Sequence, residues 1–367
     1  MQAKLSFYRG CLLGLAAGDA MGYAVDDSTL AQIQEDYGPD GILGYDMVNG
    51  YADPSSHTQL AAYACNGLLL GLTRGQTQGM MAPFVRYIAL SEREWARTQR
   101  YSGNAERIFC WITRERDLKG RRCMDTRMLD ALNQQQLGSM EEPANRFVTP
   151  GALTTAVAVG MFGRPRWISR EECNRLGAEA VALTHGAPQT FLSGAVIAHM
   201  ISRILVDGAD NIREVTREAV AALQEQFGRE YRQTVEVKEA LNMALSLSGS
   251  RHVSRRQAME QLRCTTAPEV LAGAVYAAAT HPNNFDEGLI CAVNHSGRSA
   301  AVGALTGAIL GARLGEENIP EFYLEPLTPA ELLRELAGDM FQGCPMDQSA
   351  RMFDDDWDRK YVHGGQG

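Results

Sequence analysis

Seven glycines, set at fixed intervals in two distant stretches, constrain this chain more than any other feature. Gly10, Gly14, Gly18 and Gly22 fall four residues apart, and so do Gly303, Gly307 and Gly311. Residues four apart share one face of an α-helix, so each stretch presents a smooth ridge that another helix can approach closely. Inside a helix each glycine costs roughly 1 kcal/mol relative to alanine, and its repetition implies that close backbone approach offsets the loss. The spacing predicts two glycine-ridged helices that cross near the centre of the fold. The alternative is that each packs its small residues against unrelated neighbours.

The remaining patterns are helical too. Leu30, Ile33 and Tyr37 give residues 29–37 the apolar spacing of a short amphipathic helix, ended by Gly38-Pro39-Asp40-Gly41. Asp53-Pro54-Ser55-Ser56 supplies stop and N-cap signals, and residues 57–72, apolar on nearly every side, predict a central helix. Further helices are predicted over 83–100, 171–184, 191–206, 210–227, 234–247, 254–262, 267–280 and 285–293. Residues 151–162 are β-branched enough for a strand, but their small residues and neighbours favour helix. Residues 138–150 read as loop and 185–188 as a turn. No set of alternating strands, internal repeat or long linker is evident. With 367 residues and 45% hydrophobic content the chain can bury a sizeable core. The expectation is an all-α protein, a compact multi-helix orthogonal bundle forming a single domain over residues 1–367.

A net charge of −9 argues against nucleic acid as a bulk partner. The basic run Arg251-His252 with Arg255-Arg256 reads as a solvated helix face. Eight cysteines are scattered without CxxC spacing or a histidine at zinc-finger interval, which predicts reduced thiols in a cytoplasmic protein. Lys4 and Arg9 ahead of apolar residues 11–17 resemble a short signal peptide, but Asp19 follows at once and a buried first helix is expected. The nearest approach to a membrane span is the apolar run 300–312, which is too short, so no membrane partner is expected.

Before the second ridge stands a polar entry, Asn294-His295-Ser296-Gly297-Arg298-Ser299. A polar loop feeding a helix N-terminus suits an anion or a metal–phosphate site. Here it carries Arg298 and no carboxylate.

Taken in order, the motifs resemble the ADP-ribosylglycohydrolase family over nearly the whole chain. They are residues 18–26 (GDAMGYAVD), residues 52–60 (ADPSSHTQL), Asn66 to Gly71, Leu183-Thr184-His185-Gly186, and His281-Pro282 leading into Asn294-His295-Ser296-Gly297. Trp357 to Tyr361 resembles a C-terminal feature of some bacterial members. The resemblance implies an all-α fold of that family's type, activity on ADP-ribosyl bonds, and a dinuclear magnesium centre. It also implies metal-ligating aspartates at four positions that here carry Ser56, His57, Arg298 and Ala300. A ligating hydroxyl is replaced by Ala301, while Ser55 keeps one. Asp26 stands where active members have a glutamate. Residues 151–155 lack the arginine of the family's glycine-rich stretch, and Ala187 replaces a second histidine.

Magnesium needs oxygen ligands, usually with carboxylates to balance its charge. What remains is neutral (Ser55, Ser56, Thr58, Ser299), and Arg298 adds a fixed positive charge. Two like charges about 4 Å apart repel by roughly 4 kcal/mol at an effective dielectric of about 20. No metal or other cofactor is therefore expected. Asp26, with Asp27 beside it, is the candidate base, unless the pair merely caps the helix that begins after Ser28-Thr29. The chain is expected to be a pseudoenzyme that binds an ADP-ribose-type nucleotide or a protein partner. The binding residues expected for it are Ser55, Ser56, His57, Thr58, His185, Asn294, His295, Ser296, Gly297, Arg298 and Ser299. The alternative is an active ADP-ribosyl hydrolase with a rebuilt centre. Arg298 either grips a phosphate or forms an internal salt bridge with Asp26 or Asp27.

Overall fold

The computed structural model describes residues 2–79, 82–100, 108–123, 125–349 and 351–366. The helices follow in order: α1 (Gln2–Tyr23), α2 (Leu30–Tyr37), α3 (Ser56–Gln78), α4 (Phe84–Arg100), α5 (Thr126–Leu132), α6 (Leu153–Phe162), α7 (Arg170–Ala182), α8 (Pro188–Asp207) and α9 (Ile212–Phe227). They continue with α10 (Thr234–Ser248), α11 (Arg255–Leu262), α12 (Ala267–Thr280), α13 (Phe285–Val293), α14 (Ser299–Leu314), α15 (Glu321–Leu324), α16 (Ala330–Gln342) and α17 (Asp355–Tyr361). Among the described residues there is no β-strand, only isolated bridges between Val48 and Tyr51 and between Ala52 and Leu327. The protein is all-α, as the periodicity predicts.

Local chemistry sets many of the helix starts. Thr29, Ser169, Ser254 and Thr266 each form a capping box with the Gln or Glu three residues on. Each satisfies two backbone donors that the helix itself leaves unpaired.

α1 and α14 lie along one another. Gly10 meets Gly311, Gly14 meets Gly307, Gly18 meets Gly303, and Gly22 meets Ser299, so the helices are antiparallel. A Cβ placed on any of those seven ridge glycines would fall within 3.0 Å of the facing backbone. The predicted pairing of the two ridges is therefore present, but not as a crossing at one point. The spacing persists over several turns of both helices, so contact runs along their axes. α3 packs beside this pair and also against α4, α6 and α16. Every residue from Thr58 to Thr73 in it is buried, as expected of a central helix. α6, α8 and α12 pack against α14, with α7 against α6 and α8, and the buried apolar side chains make one cluster.

One expectation gives way: α8 is 20 residues long and, by length and composition alone, apolar enough to cross a membrane, although every apolar run in the sequence is expected to be too short. Pro188 at its first turn lengthens the helix beyond the apolar run, while Ser193, His199 and Ser202 interrupt that run in sequence. In the fold most of the helix is buried, every residue from Thr190 to Ser202 among them.

The C-terminal helix is docked by a buried cation. The Lys360 ammonium lies 2.6 Å from Glu335, 3.2 Å from Asp339 and 2.9 Å from Asp356, with only 4% of its side chain exposed. Burial would lower its pKa, but the three carboxylates outweigh that and hold it above the usual lysine range. Tyr361 donates to Asp339 (2.7 Å), and Trp357 Nε1 donates to Thr73 on α3 (2.8 Å). Lys360→Met leaves Asp339 buried without its countercharge and is expected to destabilise by about 3 kcal/mol. Urea titration followed by tryptophan fluorescence checks this; a midpoint equal to that of the parent would refute the docking role.

Candidate functional site

The site begins beneath the first turn of α3. Asp19, fully buried in α1, accepts from Ser55 Oγ (2.6 Å), Thr58 N (2.9 Å) and Thr58 Oγ1 (2.7 Å). Burial raises its carboxyl to about 6, against these hydrogen bonds, which lower it. Ser55 is the N-cap of α3, its Oγ also accepting from His57 N at 3.2 Å. One aspartate thus fixes the helix start that presents Ser55, Ser56 and His57.

Those three residues form part of the lining of a cleft of about 400 Å³. Tyr23, Asp26 and Asp27 enter from the segment after α1, and Arg298 and Ala300 from the start of α14. The opposite wall is Arg122, Cys123, Asp125, Thr126, Arg127 and Met128, with residues 149–151.

Arg298 sits on the two aspartates. Its Nη1 donates to Asp27 Oδ2 at 2.6 Å and lies 3.7 Å from Asp26 Oδ2. Asp26 Oδ1 accepts from the backbone N of Ala300 at 3.0 Å, so this carboxylate also serves the first turn of α14. Asp27 adopts a left-handed backbone (φ 61°), held there by its N–H donating to Gly297 O at 3.2 Å. The Asp26 carboxyl is raised above the usual range by burial, with Ala300, His57 and Arg298 pulling the other way. His57 is pushed down to about 4 by burial and is neutral at pH 7. Its buried Nδ1 has no hydrogen-bond partner.

The opposite wall brings two more guanidiniums. Arg127 grips Asp125 through Nε (2.8 Å) and Nη2 (2.7 Å) and stacks over Phe147, 4.8 Å from the ring centroid. Arg122 Nη2 donates to Asp53 at 2.5 Å. Arg122, Asp125 and Arg127 are site residues that no motif in the sequence points to. The only local signal was Asp125 as an N-cap, accepting from Arg127 N, ahead of the short apolar pattern Met128-Leu129-Ala131-Leu132.

Of the expected binding residues, Ser55, Ser56, His57 and Arg298 line the cleft, and the candidate base Asp26 lies with them. The others are placed behind its wall. Thr58 is held by Asp19. His185 is buried between Thr184 Oγ1 (2.8 Å) and Thr149 Oγ1 (3.1 Å). Asn294 clamps Ile42, donating to its O (2.9 Å) and accepting from its N (2.9 Å). His295 is buried, with neither ring nitrogen in a hydrogen bond. Ser296 Oγ accepts from Leu30 N (2.8 Å), Gly297 packs on the carbonyls of Arg263 and Cys264, and Ser299 Oγ donates to Val293 O (2.9 Å). Of the two fates foreseen for Arg298, the internal salt bridge is the one its geometry displays. Among the described residues no group of three or more His, Cys, Asp or Glu side chains is placed to hold a metal ion.

A family model described as ADP-ribosylglycohydrolase matches residues 1–350. No curated protein matches the chain. Among 46 matching chains of solved structures is one titled "ADP-ribosylglycohydrolase-related protein complex". It is 20% identical, with 93% of this chain and 99% of that one covered and a TM-score of 0.58. At that identity the likeness speaks for the fold alone.

Proposed function

The chain belongs to the ADP-ribosylglycohydrolase family, and from that premise we propose that it binds an ADP-ribose-type nucleotide in a metal-free cleft without hydrolysing it. The observation that carries this reading is Arg298 seated on Asp26 and Asp27. A guanidinium is a permanent cation, so the cleft's central carboxylates already have their positive partner. The other donors of α3's first turn are two hydroxyls and a neutral imidazole, which suit a hard divalent cation poorly. No hydrolytic step is derived through magnesium for this donor set.

A diphosphate, by contrast, suits what is present. Arg298, Arg122 and Arg127 face one cleft, and guanidinium forks hold phosphate oxygens through paired charge-assisted hydrogen bonds. Ligand phosphates would share or displace Asp27 and Asp125 as partners of these forks.

Isothermal titration with ADP-ribose is expected to give the same affinity in EDTA as in magnesium. Arg298→Ala is expected to weaken binding at least about tenfold, since a hydrogen bond to a charged group is worth about 1.5–3 kcal/mol. Absence of binding at millimolar ADP-ribose, or binding that needs magnesium, defeats the proposal.

One observation favours a second reading, a hydrolase with a rebuilt centre. The buried Asp26 carboxyl, raised in pKa and beside His57, has the character of a general acid or base. Release of ADP-ribose from an ADP-ribosylated protein, abolished by Asp26→Asn, would establish that reading in place of the first.

A further inference from the structure

On the face carrying α15 and α16 an open groove of about 1010 Å³ runs beside a projecting finger. The finger is built by Asn49 (φ 54°) and Gly50 (φ 83°), both left-handed, in a two-residue turn. Val48 and Tyr51 close it by exchanging backbone hydrogen bonds at 3.0 and 3.1 Å. Its base is stitched down where Ala52 N donates to Pro326 O (2.8 Å) and Thr328 N donates to Ala52 O (3.2 Å). The finger therefore holds apolar side chains out in water: Val48 is 69% exposed and Tyr51 61%. Both line the groove, and Met47, beside them in sequence, is 52% exposed.

The groove's charge is one-sided. Seven carboxylates and a single guanidinium line it. Arg334, that guanidinium, is already engaged by Glu316 and Glu331. Asp117, Glu321 and Glu325 have no side-chain partner among the described residues. An apolar finger overhanging unbalanced carboxylates calls for an occupant with both cationic and apolar side chains. Nucleic acid would be repelled, and a polyamine would leave Val48 and Tyr51 bare. We propose that the groove docks a lysine- or arginine-rich segment of a partner protein, with an apolar residue of that segment seated against Val48 and Tyr51. The Arg122–Asp53 ion pair separates this groove from the cleft, Arg122 lining one and Asp53 the other, so a docked segment would lie next to the nucleotide site.

The test is fluorescence anisotropy of the full chain with a labelled twelve-residue peptide carrying four arginines and two leucines on a serine background. Glu321→Lys with Glu325→Lys, and separately Tyr51→Ser, should each weaken binding about tenfold or more, and affinity should fall with salt. The same peptide with serine for leucine should bind comparably weakly to the unaltered protein. Three results would each overturn the proposal: no binding of the arginine–leucine peptide, undiminished binding to Tyr51→Ser, or displacement of the peptide by spermine at equal cation concentration. Melting curves of the two variants, both altered at exposed positions, should match the parent and so assign the loss to the groove.

Discussion

Gly14→Val and Gly18→Val are each expected to abolish accumulation of folded protein. A Cβ at Gly14 would come within 3.0 Å of the Gly307 carbonyl, and one at Gly18 within 3.0 Å of the Gly303 carbonyl. The facing atoms are backbone, which cannot rotate aside as a side chain would. Retreat of α14 would open the contacts along the whole ridge and disturb α12 and α13 packed beyond it. Overpacking of a well-fitted core costs roughly 1–3 kcal/mol and occasionally more. Here two backbones collide, so alanine should cost about 3 kcal/mol, and valine enough to exceed much of a total stability of about 5–15 kcal/mol. Gly338 in α16 is the internal control, because a Cβ there meets nothing within 4 Å. Gly338→Ala should be neutral or stabilising by up to about 1 kcal/mol. Soluble yield and thermal melts by circular dichroism decide the matter: a Gly14→Val protein that melts with the parent would show that the ridges are not clamped.

Glu92→Gln should gain stability relative to the parent as pH rises from about 6.5 to about 8, by roughly 2 kcal/mol. Glu92 is buried between α4 and α6, its Oε1 accepting from Thr155 Oγ1 at 3.0 Å and its Oε2 without a partner. Burial raises its carboxyl from the usual 4.5 to about 8, with Thr155 lowering it only in part. A folded-state pKa above the unfolded one means that the native chain keeps a proton the unfolded chain has released. Each unit of pH in that interval therefore favours unfolding. Asp19 acts in the same direction, but only up to about 6. The buried histidines pull the other way and offset much of this in the parent's own profile up to about pH 7.5. His57, His185, His199 and His295 are pushed down from 6.5 to about 4 by burial, so acid protonates the unfolded chain first. Urea unfolding of parent and Glu92→Gln at half-unit steps from pH 6 to pH 8 tests this, and a stability difference between them that does not change with pH would assign the effect elsewhere.

What could be read in the sequence followed physical range. The amphipathic helices and their capping boxes depend on neighbours within a few residues, and the predicted α2, α9, α11 and α12 begin within two residues of where they are found. The two glycine ridges announced a partner because nothing else accounts for their cost. The site was half legible. Its positions along α3 and α14 could be placed by resemblance, but neither spacing nor resemblance says which way a turn's side chains point. Asn294 and Ser296 are polar like Arg298, yet they fasten the turn to Ile42 and Leu30. Of the far wall's arginines, Arg127 stands in α5, whose seven residues are too few for a periodic signal, and Arg122 in the irregular segment before it. Their partners are no easier to see, since Asp53 lies far from Arg122 in the chain.

The glycine clasp also bears on how the chain comes into being. α1 emerges well before α14 during synthesis, since the surface that covers its ridge lies roughly 290 residues later, which makes this contact strongly non-local. At about 5–20 residues per second, the nascent first helix waits some tens of seconds with its apolar flanks and bare glycine backbone uncovered. Throughout that interval it is a ready surface for a chaperone, or for a second nascent chain. The contact that makes the finished molecule tight is thus the one its biosynthesis must leave open longest.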